Sequence, residues 1–574
     1  MHTLTGLDAS FLYLETPEMP MHVGSFNLCE LPAGFRGSFH KAVQKHVLKR
    51  LHLAPVFTRK LVFMPLNLGH PAWIEAPAVD IDFHVRRADA AQKGAPPMTL
   101  AEAHQRCAQL HSELLDRRFP LWEFHVFDRI ALPDGRIVAG FLSKIHHAAL
   151  DGKGAVMLAN ATLDTSPLPR QVPPPDPVHG RQADSEADLG TSTLIASVLS
   201  TSLGQFSRLA RALPSSIRGI GSTLIKQSTA DLPTGKRTRM PMKLAPHTPF
   251  NIGIGTQRVF AAATLPLQEC KALGKAAGGS LNDMLLWICS TALRDYLSHH
   301  FSLPYKSLVA SMPVSLRAEA TDPGGAGNKV SMTLVELGTQ ISNPLKRMKA
   351  ITASTAKVKS SMQSLKGLLP TDYPSLLAPW LVGGIARQAL NAYGKSGLAS
   401  RLPVVTNLAI SNVPGSPVPL YLAGARVLGF HPLSIITHGV ALNITIQTYD
   451  GKVDFGIVAD SKALPHADDL ARAIEDAFTQ AQALMGDAAS AAAEVSPATP
   501  ASNPAPKTRK ASIPKTSKST RLESSTSSKR GRRPDTDIVS TETKLPLSTS
   551  SSHGKTVKIT APAKPVRRPP DRAA

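Results

Sequence analysis

The sequence has few cysteines and none of the spacings that cysteine chemistry requires. Its 574 residues include four cysteines, and no two of them form a C-x-x-C pair. A disulfide scaffold or a cysteine-rich zinc module is therefore excluded, and each thiol is expected to be a buried apolar residue in a reducing compartment. The four are Cys29, Cys107, Cys270 and Cys289.

Long apolar runs are also missing from the sequence. The longest apolar stretch, residues 373–386, is shorter than a membrane span and is interrupted by Pro374 and Pro379. Asp8 and Glu15 fall where a secretory signal would need a basic region and then an unbroken apolar run. We therefore expect a cytoplasmic protein without a signal peptide or a transmembrane segment, peripheral at most to the inner membrane or to lipid inclusions.

Three common signatures of enzymes and nucleotide-binding proteins are absent as well. The sequence contains no G-x-S-x-G elbow, no G-x-x-x-x-G-K-[ST] loop and no complete G-x-G-x-x-G, although Gly253-Ile254-Gly255 begins like one. Covalent serine catalysis, phosphate cradling and dinucleotide binding therefore lack their residues. For an enzyme, this favours a base that needs no covalent step.

Positive charge, in contrast, is plentiful and unevenly distributed. The formal net charge is +22, and residues 490–574 alone carry 17 Lys and Arg against 6 Asp and Glu, a net of +11. This part is rich in Ala, Pro, Ser, Thr and Lys and has no apolar periodicity. Because it cannot bury enough surface to offset the entropy of ordering, we predict that residues 487–574 form a disordered basic tail.

The remaining length is enough for two α/β domains. Residues 1–164 and residues 239–486 each combine strand-like segments with helical periodicity. Between them, residues 165–238 begin as a proline-rich linker. They continue with apolar residues at three- and four-residue steps from Phe206 to Leu224, separated by basic residues. This pattern is typical of a basic amphipathic helix, which either packs on the enzyme or lies on an anionic lipid surface.

The residues best suited to chemistry directly follow a strand-like segment, Arg136 to Leu142. His146 and His147 are adjacent, and Asp151 and Gly152 come after a turn. Neighbouring side chains on extended backbone point to opposite faces, so one histidine is the reagent and the other its support. Asp151 can bond a ring N–H or pair with an arginine, and Gly152 allows a tight turn. A metal site is disfavoured because zinc needs ligands on one face. Spacing alone supports catalysis and a role in the fold equally.

The same stretch matches a known signature. His146 to Gly152 resembles the HHxxxDG motif of the CoA-dependent acyltransferase superfamily, and within it the chain resembles the bacterial wax ester synthase/acyl-CoA:diacylglycerol acyltransferase family. Further matching stretches are Leu4 to Phe11, Pro20 to Gly24, Pro120-Leu121-Trp122, Asn282-Asp283 and Ser411 to Gly415. The resemblance covers residues 1 to about 486. It implies an α/β fold of two similar mixed-sheet domains, with the active site in a channel between them.

The resemblance also implies roles for the motif residues. His147 is the general base, His146 its support, Asp151 an orienting group and Gly152 the turn. Asn282 is implied to stabilise an oxyanion or to position the substrate. The residues implied to shape the substrate channel are Pro120, Leu121, Trp122, Asn412, Pro414 and Gly415.

Asp283, the second residue of the Asn282-Asp283 motif, also has a purely structural explanation. Ser280 and Asp283 have the spacing of a capping box, in which each side chain bonds a backbone N–H of the first helical turn. We therefore expect Asp283 mainly to shape that turn. For Trp122 a place in the core is likewise favoured over direct contact with substrate.

The implied reaction needs no metal and no bound cofactor. Acyl-CoA is a substrate, and the acceptor is diacylglycerol or a long-chain alcohol. One alternative is a non-catalytic protein of membranes or lipid particles on an acyltransferase scaffold. Another is nucleic-acid binding by the tail, through phosphates and without base stacking, because the tail lacks interleaved aromatic residues. The intact histidine motif favours the enzyme.

Overall fold

Two large β-sheets organise the part of the chain that the structure, a computed structural model, describes. The described residues are 2–64, 69–89, 96–150, 152–174, 244–315, 330–365 and 387–494. Asp151, the predicted amphipathic helix and the predicted tail beyond residue 494 lie outside them. Within them, no helix is both long and apolar enough to cross a membrane.

Strands from both ends of the sequence build the sheets. The described strands are β1 (His2–Thr3), β2 (His22–Glu30), β3 (Arg59–Val62), β4 (Ala72–Glu75), β5 (Val85–Arg87), β6 (Met98–Thr99), β7 (Trp122–Ala131), β8 (Ile137–His146), β9 (Arg258–Pro266), β10 (Val309–Ser315), β11 (Val330–Glu336), β12 (Leu408–Val413), β13 (Tyr421–Leu422), β14 (Ala425–Leu433), β15 (Leu442–Tyr449) and β16 (Lys452–Asp460). A seven-stranded sheet has the order β13-β14-β2-β8-β7-β5, with β6 also paired to β7. A six-stranded sheet has the order β11-β10-β12-β15-β16-β9, and β1, β4 and β3 form a small third sheet.

Helices flank these sheets. The described helices are α1 (Gly6–Leu14), α2 (Phe39–Leu48), α3 (Pro55–Thr58), α4 (Ile81–His84), α5 (Leu100–Ser112), α6 (Gly152–Thr162), α7 (Leu267–Ala276), α8 (Leu281–His300), α9 (Pro344–Leu365), α10 (Arg387–Lys395) and α11 (Ala467–Glu494). Short 3-10 turns cover Leu51–Leu53, His147–Ala149 and Leu398–Ser400. The mixture of antiparallel and parallel strand pairs with helices confirms the predicted α/β class.

The centre of the seven-stranded sheet requires a glycine at residue 24. Strands β2 and β8 run antiparallel, with His22 opposite His146 and Gly24 opposite Lys144. A Cβ at Gly24 would lie 1.8 Å from the backbone oxygen of Ser143. Only glycine therefore lets the two strands approach closely enough to hold the end of β8 in place.

The six-stranded sheet is covered by helices that are themselves deeply buried. Met284 to Leu293 is apolar nearly all round, and α8 buries most of its residues in the largest core cluster. Helix α11 packs against α8 and α7. It extends to Glu494, past the predicted domain boundary at residue 486.

The chain passes from the six-stranded to the seven-stranded sheet directly after Val413. Strand β12 belongs to the six-stranded sheet, whereas β14 pairs with β2, placing Leu433 opposite Gly24. The loop that follows Val413 and contains Pro414 and Gly415 therefore crosses from one sheet to the other. A strand from the second half of the sequence thus completes the sheet that carries the histidines.

Helix α2 ends earlier than the periodicity of its sequence predicts. Apolar residues at four-residue spacing, Phe39, Val43, Val47 and Leu51, predict a helix from Gly37 to Leu53. Helix α2 instead ends at Leu48, and Arg50 leaves the helical conformation. A tertiary contact explains the early end of the helix, because the Arg50 guanidinium is buried and donates to both carboxylate oxygens of Asp164. The dipeptide Asp450-Gly451 is typical of a hairpin turn, and both residues have the positive φ angles that a type I′ turn requires.

Candidate active site

The two histidines lie where strand β8 ends. His146 is the last residue of the strand, and His147 begins the 3-10 turn that leads toward α6. The His146 N–H donates to the carbonyl of Leu121 at 3.0 Å, and the His147 N–H donates to the carbonyl of Met21 at 2.8 Å. The backbone of the pair is therefore fixed by two separate segments, as expected for a motif at the end of a strand.

The His146 side chain is fully buried and has hydrogen bonds on both ring nitrogens. Its Nδ1 accepts from the Ala148 N–H at 3.1 Å, and its Nε2 lies 3.1 Å from the Glu15 carboxylate. Because Nδ1 is an acceptor, the proton of the neutral ring is on Nε2 and is donated to Glu15. Both nitrogens of His146 are thus engaged, which matches a supporting role.

The His147 ring has a different environment. It stacks on Phe11, with ring centroids 4.0 Å apart and planes inclined by 16°. Its Nδ1 is buried, and no described residue bonds to it. Burial lowers the pKa of His147 to about 4; its own backbone carbonyl acts in the opposite direction, and a charge on His146 would lower the pKa further. The ring is therefore neutral at physiological pH and can accept a proton.

Glu15 is an acidic residue in this site that the sequence did not reveal. It follows α1 and is 3% exposed. Its Oε1 accepts from Arg117, at 3.2 Å from Nε and 2.8 Å from Nη2, while Oε2 accepts from His146 and from the Met21 N–H. Burial by itself would raise the pKa of Glu15, but the hydrogen bond from His146, together with the charge and hydrogen bonds of Arg117, outweighs it and lowers the pKa to about 2. Glu15 is therefore a carboxylate.

The other two residues of the HHxxxDG motif are described only in part. Asp151 lies outside the described residues, so its orienting role stays a prediction. Gly152 is the first residue of α6, and its role as the turn stays a prediction.

The Pro120-Leu121-Trp122 motif is buried behind the histidines. The carbonyl of Leu121 holds His146, and Trp122 is paired with Ile145 across the strands. The indole Nε1–H of Trp122 donates to the carbonyl of Phe57 at 3.2 Å, and its ring stacks on His84 at 4.2 Å. These contacts match the favoured place of Trp122 in the core. The lining of a substrate channel by the motif stays a prediction.

Asn282 and Asp283 begin α8 and point to different partners. The Asp283 carboxylate accepts from both the N–H and the hydroxyl of Ser280, while Ser280 accepts from the Asp283 N–H, which confirms the predicted capping box. Its other oxygen accepts from the hydroxyl of Thr355 at 2.7 Å. Asn282 instead accepts through Oδ1 from Asn412 Nδ2 at 3.2 Å.

This contact joins two motifs that are 130 residues apart in the sequence. Asn412 is in strand β12, and Pro414 and Gly415 follow it at the crossing between the sheets. A Cβ at Gly415 would lie 2.0 Å from the Thr448 carbonyl oxygen, so the loop packs closely on β15. The structure thus brings Asn282 and Asn412 together at one end of the six-stranded sheet.

Comparison with known proteins decides the family. The sequence profile of the wax ester synthase/diacylglycerol acyltransferase catalytic domain matches residues 4–285, and the profile of the WS/DGAT C-terminal domain matches residues 326–482. A Mycobacterium tuberculosis protein named as a diacylglycerol O-acyltransferase is 34% identical over 486 residues, covering 84% of this chain and 100% of the relative. The chain belongs to the wax ester synthase/diacylglycerol acyltransferase family.

Other members of the WS/DGAT family support this assignment. A second M. tuberculosis protein named as a diacylglycerol O-acyltransferase is 33% identical over 83% of this chain and 98% of its own length. The solved structure of the wax ester synthase/diacylglycerol acyltransferase from Marinobacter aquaeolei VT8 is 25% identical, with a TM-score of 0.57, covering 84% of this chain and 100% of that one. The predicted family, fold class and acyltransferase class are thereby confirmed.

In this WS/DGAT member, sequence reasoning missed the residues that surround the histidines. Phe11, Glu15 and Arg117 contact the histidine pair or its support, yet none of them lies in the HHxxxDG motif. Phe11 closes the N-terminal stretch that carries the resemblance, and Glu15 follows it by four residues. The sequence feature that could have indicated Glu15 is its place, as a single acidic residue, next to a family motif.

Proposed function

We propose that this WS/DGAT protein transfers a long-chain acyl group from acyl-CoA to the hydroxyl of diacylglycerol or of a long-chain alcohol. The observation that carries the proposal is the neutral, partly buried His147 imidazole, fixed at the end of β8 in a chain of this family. The names of the relatives, diacylglycerol O-acyltransferase and wax ester synthase, support both acceptor classes. The products are triacylglycerol or a wax ester, and free CoA.

The base in this mechanism is Nε2 of His147. Nδ1 of this ring is buried, so a substrate hydroxyl reaches the ring at Nε2. The lone pair is therefore assigned to Nε2. It takes the proton of the acceptor hydroxyl while that oxygen attacks the thioester carbon, the C–S bond breaks, and the imidazolium returns the proton to the CoA thiolate. No acyl-enzyme forms, and no metal or bound cofactor takes part.

The Asn282 amide is the proposed donor to the oxyanion of the tetrahedral intermediate. Its Oδ1 is occupied by Asn412, which leaves its NH₂ group to donate. It also lies in the first turn of α8, where the helix dipole favours negative charge. Asp283 shapes the turn through its capping box and does not act on substrate.

The proposal is tested by CoA release from palmitoyl-CoA, with hexadecanol or dioleoylglycerol as acceptor. We expect turnover by the wild type and a loss on the order of 10²- to 10⁴-fold in His147→Ala, the range of general-base catalysis. The matched control is His40→Ala, which removes another part-buried histidine, one that bonds the Val85 carbonyl at 2.9 Å. Equal rates in wild type and His147→Ala would refute the mechanism.

The same assay separates catalysis from attachment to a surface. Truncation before Ser490 removes half of the net positive charge. We expect the truncated chain to keep its turnover on dispersed acceptors and to lose binding to anionic vesicles. A loss of turnover both on dispersed acceptors and in the presence of anionic vesicles would assign the tail a part in catalysis. Retained binding of the truncated chain to vesicles would show that the tail is not the attachment site.

A further inference from the structure

The segment formed by α1 and Glu15 contacts both histidines of the HHxxxDG motif. Phe11 covers the ring of His147, and one turn later Glu15 bonds the ring of His146. We propose that Glu15 is a positioning residue, held by Arg117, which fixes His146 and, through Met21, the backbone of His147. This inference rests on the proposed function, because it assigns Glu15 to the geometry of the same base.

A single carboxylate oxygen carries this arrangement. Oε2 of Glu15 accepts from the His146 Nε2–H and from the Met21 N–H, both at 3.1 Å. The carbonyl of the same Met21 accepts the His147 N–H at 2.8 Å. The position of Glu15 Oε2 therefore fixes the His146 ring directly and the His147 main chain through Met21.

Arg117 occupies the other oxygen and keeps the group charged. It donates from both Nε and Nη2 to Oε1, and from Nη2 to the Leu12 carbonyl at 2.7 Å. Burial alone would favour a protonated Glu15, which would have one oxygen less with which to accept, but the donors that surround it hold its pKa down at about 2. Arg117 thus leaves Oε2 free to accept from His146 and Met21.

The arrangement matters because His147 itself has few polar contacts. Its ring is held by stacking on Phe11, and its backbone is held by Met21. Displacing a general base by about 1 Å can slow a reaction on the order of 10²-fold. Loss of the Glu15 contact is therefore expected to lower the rate of the chemical step rather than the affinity for substrate.

The same half of the chain provides a matched control. Arg50 bonds both oxygens of Asp164, and the His46 ring lies 4.0 Å from this carboxylate, with the side chains of Arg50 and Asp164 each 3% exposed. Like the Glu15 cluster, this cluster combines a buried carboxylate with an arginine and a histidine, although its arginine is 3% exposed whereas Arg117 is 32% exposed. Its histidine bonds the carbonyl of Thr162 and belongs to no catalytic motif.

The experiment compares Glu15→Gln, Arg117→Lys and Asp164→Asn in the CoA-release assay, with thermal unfolding measured for each. We expect Glu15→Gln to lower kcat about 10- to 100-fold and to leave KM within about threefold of the wild type. The NH₂ group of the glutamine would face an N–H donor where the carboxylate has an accepting oxygen. Arg117→Lys, which keeps the charge, should lose less. Asp164→Asn should unfold at a lower temperature and keep kcat. An unchanged kcat in Glu15→Gln, or an equal loss in Asp164→Asn, would overturn the inference.

A second measurement does not depend on turnover. In protein labelled with ¹⁵N-histidine, the hydrogen-bonded Nε2–H of His146 is identified by its disappearance in His146→Gln. We expect this resonance to shift or to exchange with water in Glu15→Gln and to stay in place in Asp164→Asn. An unchanged resonance in Glu15→Gln would refute the contact. If the wild type released no CoA, the proposed function would fail while this measurement still decided the role of Glu15.

Discussion

Replacing Phe11 by leucine should slow the acyltransferase reaction without weakening substrate binding. The His147 ring lies flat on Phe11 at 4.0 Å, and it is neutral before the reaction because burial lowers its pKa to about 4. It becomes an imidazolium when it takes the hydroxyl proton. An aromatic face stabilises such a cation by about 0.5–2 kcal/mol, which corresponds to about 2- to 30-fold in rate. Leucine keeps apolar contact but has no aromatic face.

The assay is the initial rate of CoA release over a range of acyl-CoA concentrations, with kcat and KM determined separately. Phe83→Leu is the matched control, because Phe83 stacks on Phe119 at the same 4.0 Å but away from the histidine motif. Phe11→Leu should lower kcat by the stated factor and leave KM within about twofold. A kcat within about 1.5-fold of wild type, or the same loss in Phe83→Leu, would refute the assignment of imidazolium stabilisation to Phe11.

Three further predictions concern pH, the oxyanion donor and the closeness of the central strands. Because the pKa of His147 is lowered to about 4, the base stays unprotonated above that pH. We therefore expect kcat/KM to be constant down to about pH 5 and to fall at lower pH. A pH profile in which kcat/KM already falls near pH 6.5 would contradict this. Asn282→Ala should lower kcat on the order of 10²-fold and leave the thermal stability unchanged. Asp283→Ala should lower the free energy of unfolding by about 1–2 kcal/mol and have little effect on kcat. A loss of stability in Asn282→Ala and a loss of kcat in Asp283→Ala would contradict these assignments. Gly24→Ala should lower the free energy of unfolding by about 3 kcal/mol or more, because its Cβ would lie 1.8 Å from the Ser143 oxygen. Denaturant titrations measure this change. A wild-type free energy of unfolding would show that β2 and β8 can move apart at little energetic cost.

Those parts of the fold that depend on local pattern could be predicted from the sequence. Strand β8, the turn after it and the capping box of α8 all follow from residues within a few positions of one another. The early end of α2 could not be predicted. It depends on the pairing of Arg50 with Asp164, 114 residues away, and a burial of this kind overrides helical periodicity.

The same limit applies to the candidate site. The sequence predicted that one histidine acts and the other supports, since both could not face one cavity. It could not identify what supports them, because Glu15 reaches His146 across 131 residues and Phe11 reaches His147 across a similar span. A lone acidic residue near the N-terminus has no periodicity or spacing that would distinguish it from a solvated surface charge.

Two chemically identical residues thus have different surroundings, and the proposed mechanism gives them different roles for that reason. His146 is hydrogen-bonded at both nitrogens, so it has no lone pair to offer an acceptor hydroxyl. His147 has a buried Nδ1 that no described residue bonds and an aromatic ring on one face, an environment that leaves it neutral and able to become charged during the reaction. The strand ending between them creates this difference, since it aims one ring at Glu15 and the other at Phe11. The HHxxxDG motif therefore supplies the pair of rings, while the N-terminal helix and the residue after it supply the contacts on which the proposed roles of support and base rest.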